Sequence, residues 1–125
     1  MALQCTEAEW KIMEVLWDHA PCTIAEITKA LEPSTGWSRH VVIVLLKRME
    51  EKGTVSVDES GPAKHYMPKI TRNDASAEET GKFLSHVFKG NVSLLINHLV
   101  DSDRITADDL QEIVNAMHKA RKQEK

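Results

Sequence analysis

Apolar side chains in this chain recur first with a helical period, then in alternation, then with a helical period again. Trp10, Met13 and Trp17 share one stripe of a helix expected from about Glu7 to His19. Thr6 and Glu9 form a capping box at its start, in which a hydroxyl takes an orphan amide and a carboxylate reaches back. Pro21 breaks the chain, and Thr23 with Glu26 repeats the box. The second helix is expected to be short, from about Ile24 to Leu31, burying Ile24, Ile27 and Leu31. Pro33, Ser34 and Gly36 read as the turn behind it.

The segment "WSRHVVIVLLKRMEEKG" predicts a third helix, opened by Ser38 as N-cap and stopped by Gly53. Val42, Leu45, Leu46 and Met49 fall at i, i+3, i+4 and i+7, which defines a core face. His40, Val44, Lys47 and Glu51 lie opposite, with Ile43 and Arg48 at the flanks. The run from Val41 to Leu46 is therefore too apolar for one buried stripe, and Ile43 and Val44 need a second partner. In "TVSVDESGPAKHYMP", Val55 and Val57 alternate with polar residues, Ser60, Gly61 and Pro62 turn the chain, and "KHYM" returns it as a β-hairpin. Three helices followed by a hairpin are the order of a winged helix-turn-helix. From residue 71 the pattern changes: "ITRNDAS" reads as a polar joint, followed by three amphipathic stretches. They are marked by Leu84, Val87 and Phe88; by Val92, Leu95, Ile96 and Leu99; and by Leu110, Ile113, Val114 and Met117. Thr106 and Asp109 open the last, and the closing "KARKQEK" reads as frayed.

The expected fold is thus mainly α with a small β-hairpin wing, in two parts. Residues 1–70 would form a winged helix-turn-helix and residues 71–125 a helical lobe. Some 50 residues of short amphipathic helices cannot bury a sufficient core alone. Because the first part has its own core, the apolar faces of the second predict a homodimer.

Composition changes this picture little. Hydrophobic residues make up 42% and charged ones 28%, as in a folded domain. No apolar run approaches a bilayer span, and the N-terminus lacks a secretory pattern, so the cytoplasm is the expected compartment. Charge matters more. The net value is −3, but residues 1–35 carry two basic against six acidic side chains, whereas residues 36–70 carry six against four. Positive charge gathers on and after the third helix, and a polyanion responds to the local field.

In a winged helix the third helix enters the major groove. Ser38, Arg39 and His40 open it, within reach of base edges and phosphates. Lys47, Arg48 and Lys52 suit phosphates further along, and Lys64 and His65 on the hairpin suit a neighbouring phosphate or the minor groove. The plainer reading is a solvated basic face, which the ordered set of elements argues against. Ile43 and Val44 could touch thymine methyls, or else pack against the C-terminal lobe or a second protein. Cys5 and Cys22 lack CxxC spacing and read as ordinary thiols. His19, His40, His65, His86, His98 and His118 show no metal-ligand spacing. No phosphate loop, nucleophile–base pair or carboxylate pair appears. Neither a metal, nor another cofactor, nor enzymatic catalysis is expected.

Taken in order, "TEAEWKIMEVLW", "WS", "LLKRMEEKG", "YMP", "FKGNVSLLINHLV" and "ITADDLQEI" resemble the penicillinase-repressor family (BlaI/MecI/CopY type), over about Thr6 to Met117. The resemblance implies a homodimeric winged-helix repressor on double-stranded dyad operator DNA, dimerised through its C-terminal helices. In the β-lactam-sensing members, a membrane sensor with a metalloprotease domain triggers cleavage of an Asn–Phe bond in the C-terminal lobe. The pair matching that bond here is Asn97–His98, with histidine in the aromatic position. Copper-responsive members carry a C-terminal cysteine cluster, which this tail lacks. Where members usually carry threonines and often a basic residue, this chain has Val41, Ile43 and Val44. A second class of function fits those substitutions and the net acidity: a winged-helix protein-interaction module with weak or no specific DNA binding.

Overall fold

The computed structural model describes residues 5–123. Among these, the elements run α1 (Glu7–His19), β1 (Cys22–Thr23), α2 (Ile24–Thr35), α3 (Arg39–Lys52), β2 (Val55–Asp58), β3 (His65–Pro68), α4 (Arg72–Phe88), α5 (Val92–Asp101) and α6 (Ala107–Gln123). The chain divides into two compact units, one ending at Thr80 and the other beginning at Gly81. No helix among the described residues is long and apolar enough to cross a membrane.

The first unit is a winged helix. Both capping boxes form. The Glu9 amide donates to Thr6 Oγ1 (3.1 Å) and the Thr6 amide to Glu9 Oε1 (3.0 Å); Thr23 and Glu26 repeat this at 3.1 and 2.8 Å. Satisfying these orphan amides fixes where α1 and α2 begin. Ile12, Met13 and Leu16 of α1, Ile27 of α2, and Val42, Leu46 and Met49 of α3 are almost wholly buried against one another. At roughly 2 kcal/mol for each such side chain, this shared core holds the three helices together.

The hairpin is the expected one, with Val55 opposite Pro68 and Asp58 opposite His65. A third strand joins it. Cys22–Thr23 pairs with the other edge of β3, giving the order β1-β3-β2. Two residues carry no alternation, so sequence pattern has nothing to detect there.

Three element ends differ from expectation. Helix α2 continues through Pro33 to Thr35 rather than ending near Leu31. Thr35 Oγ1 donates to the Leu31 carbonyl (2.7 Å) and the Gly36 amide to Glu32 (2.9 Å). The left-handed Gly36 (φ 68°) ends the helix, not the proline. Helix α4 begins at Arg72, inside the stretch read as a polar joint, because Thr71 Oγ1 accepts from the Asp74 amide (3.0 Å) and caps it. Helix α6 runs to Gln123. Its start is fixed by the reciprocal Thr106–Asp109 box, and Ala, Lys, Arg and Gln propagate it well. The rest of the expected frayed tail, Glu124 and Lys125, lies outside the described residues.

The start of α4 is tied to α1. Trp17 Nε1 donates to the Ile70 carbonyl (2.9 Å), the Arg72 guanidinium lies 5.4 Å from the Trp17 ring centroid, and Arg72 pairs with Asp18 at 2.8 Å. Ala75, one turn on, is buried.

The second unit is different in kind. From Gly81 to Arg121 no described side chain is buried. Leu84, Phe88, Leu95, Ile96, Leu99 and Leu110 are half-buried, while Val92 is 54% exposed and Met117 58%. Phe88 ring contacts to Phe83 (5.6 Å) and His98 (5.5 Å) link α4 and α5. The sequence pattern missed three further exposed apolar positions, Phe83, Leu94 and Val100, because they fall outside the strict i, i+3, i+4, i+7 stripes.

Candidate nucleic-acid interface

Helix α3 presents the candidate site. Ser38 caps it, with Oγ accepting from the Val41 amide at 3.5 Å, and the left-handed Gly53 closes it. Its inner stripe, Val42, Leu45, Leu46 and Met49, goes into the core. Arg39, His40, Ile43, Val44, Lys47, Arg48 and Glu51 are all exposed, with Ile43 at 39% and Val44 at 41%. The second partner that the apolar run requires is therefore not the winged unit's own core.

The residues expected to meet DNA divide into three groups. Ser38, Arg39, His40, Ile43, Val44, Lys47 and Arg48 lie on the exposed surface of one helix. Lys64 joins them across a cleft. This cleft is lined by Arg39 and Ile43 from α3, Ile24 from the start of α2, and Pro62, Ala63 and Lys64 from the wing. Lys64 also faces Glu59 at 3.4 Å, with both side chains more than half exposed, a pairing too well solvated to hold it firmly. His65 is half-buried on the central strand, and its Nδ1 lies 3.1 Å from the Ala63 carbonyl.

Lys52 forms the third group. Its ammonium lies 2.8 and 3.1 Å from the two carboxylate oxygens of Glu9, whose side chain is fully buried while that of Lys52 is 33% exposed. Lys52 follows Leu45 by seven residues and Met49 by three, so it continues the core stripe and faces α1. It was expected on phosphate; its charge is instead engaged inside the fold.

Sequence reading missed the apolar wall of the cleft, Ile24, Pro62 and Ala63. The one available signal was the Thr23–Glu26 box, which places the start of α2. Acidic groups sit beside the wing. The Thr23 amide, with its hydroxyl, holds the Glu26 carboxyl below its usual range. Ser60, through its hydroxyl and amide, does the same for Asp58, and His65 adds to both effects. Burial pushes the Tyr66 phenol and the Cys22 thiol up, and Cys22 Sγ lies 3.3 Å from the His19 carbonyl. No group of three His, Cys, Asp or Glu side chains that could hold a metal occurs among the described residues. Asn97 and His98 are both exposed within α5.

Comparison with known proteins agrees with this geometry. The chain is 25% identical to the penicillinase repressor of Bacillus licheniformis over 97% of its own length and 96% of that protein. Its fold resembles the solution structure of the DNA-binding domain of the repressor BlaI, with TM-score 0.53 and 28% identity over 59% of this chain and 90% of that one. It also resembles Bacillus licheniformis BlaI in its monomeric form in complex with the blaP half-operator, with TM-score 0.52, 28% identity and the same coverage. Those relatives are repressors rather than enzymes. A family model described as "Penicillinase repressor" matches residues 5–119. With nearly the whole chain matched and the winged unit carrying the same fold, the protein belongs to the penicillinase repressor family.

Proposed function

We propose that this protein is a homodimeric transcriptional repressor that binds a dyad operator through α3 and the wing. The observation that carries this reading is the outward surface of α3. Arg39, His40, Lys47 and Arg48 are exposed there, outside the buried core of the winged unit, with Lys64 across the cleft. A relative with this winged fold forms a complex with a half-operator, which supports the same use of the surface here. The absence of any buried described side chain from Gly81 to Arg121 supports pairing of the second unit with a second copy.

A salt titration of duplex binding tests the reading. Binding should weaken steeply with salt, and Lys47→Ala should weaken it on all sequences while flattening the log–log slope by about one unit. A slope unchanged in the variant would remove Lys47 from the interface.

Derepression follows from the same arrangement. Cutting between Asn97 and His98 would divide α5 and take its apolar positions out of a pairing surface, lowering avidity without touching α3. The exposure of Ile43 and Val44 also fits a second reading, a winged-helix module that docks on protein. Such a module would show no steep salt-dependent binding to duplex DNA, so the same titration separates the two.

A further inference from the structure

Two rows cross the exposed face of α3. Arg39, Ile43 and Lys47 stand at i, i+4 and i+8 on one; His40, Val44 and Arg48 stand at the same spacing on the other. Each row places an apolar side chain between polar, hydrogen-bonding ends. Eight residues of helix rise about 12 Å, close to the roughly 12 Å width of the major groove. Ends so spaced can reach the phosphate walls while the centre faces the base edges. On those edges the one projecting apolar group is the C5-methyl of thymine. Ile43 also lines the cleft with Ile24, Pro62 and Ala63, together with the cations Arg39 and Lys64. Val44 lies 100° further round the helix, on the side away from Arg39.

We propose that Ile43 and Val44 read the C5-methyl groups of two different thymines in each half-site, while the cations at the row ends hold the phosphates. This deepens the repressor reading and rests on it. Charge complementarity selects the occupant: an apolar pair bracketed by Arg39, Lys47 and Arg48 suits a polyanion with methyl groups on its floor. A protein partner with an uncharged apolar face would leave those cations unmatched.

The probe is a duplex selected by the full-length protein from a random pool, then remade with deoxyuridine replacing one thymidine at a time. Uracil keeps every phosphate and every base-pairing group and removes only the methyl. At the contacted thymines the wild type should lose about fourfold in affinity per methyl, and deoxyuridine outside the footprint should change nothing. Val44→Ala and Ile43→Ala should each abolish this difference at one thymine, and at different ones. Lys47→Ala should weaken thymine and uracil duplexes equally, preserving their ratio. Salt-dependent binding with no thymine–uracil difference at any position would overturn the methyl reading and leave the repressor intact. No salt-dependent binding to any duplex would overturn both.

Discussion

Val114→Glu should convert the protein to a monomer and lower its affinity for a two-half-site operator by about 10²–10⁴-fold, the range that tethering a second site supplies. Val114 is 42% exposed in the single chain, so a carboxylate there costs the isolated fold little. Buried in a pairing face it would be an unpaired charge, which an apolar contact does not tolerate. The effect should be confined to avidity: affinity for one half-site should stay as it was, because α3 and its core lie in the other unit. A chain ending at Asn97 should behave in the same way, as cleavage within α5 requires. Sedimentation velocity together with titration of one-site and two-site duplexes checks both variants. A variant still dimeric, with two-site affinity unchanged, would show that α6 does not pair the chains.

The second large effect concerns stability. Lys52→Met should destabilise the protein by about 3 kcal/mol, at the lower end of the cost of breaking a buried pair, and should lower the thermal midpoint by roughly 15 °C. Glu9 is fully buried and accepts from both Lys52 and the Thr6 amide. Removing the ammonium leaves a buried carboxylate with the capping bond as its remaining hydrogen bond among those described. The lower end is appropriate because Lys52 itself keeps 33% of its side chain in water. The double variant Glu9→Gln, Lys52→Met should recover part of the loss, since the uncompensated charge is then gone. Chemical denaturation followed by tryptophan fluorescence measures each. The DNA salt slope should not change in Lys52→Met; a drop of one unit would return this lysine to the phosphate backbone.

Much of the winged unit was legible because its signals are local. Two Thr-x-x-Glu boxes set the starts of α1 and α2, while Ser38 and Gly53 bracketed α3 to the residue. Those devices act through backbone amides within three residues, which is the range a sequence pattern covers. What escaped depended on distant partners. Strand β1 exists because β3 offers it an edge. Lys52 reads as one more basic residue until α1 brings Glu9 against it, 43 positions away in the chain. Pro33 is the local exception: it looks like a stop, yet the Thr35 hydroxyl and Gly36 amide bonds carry α2 past it. At the candidate site, the outward side of α3 followed from its 3.6-residue period. The cleft against Ile24, Pro62 and Ala63 did not, because three separate elements build it.

The central claim is that two copies present α3 to one duplex about a two-fold axis. Selection from a random double-stranded pool, using the full-length protein at physiological salt, tests it most directly. The account predicts enrichment of an inverted repeat whose half-sites are centred about 10 bp apart or a multiple of that. A pool that stays random, or converges on a single half-site without a symmetric mate, would contradict it.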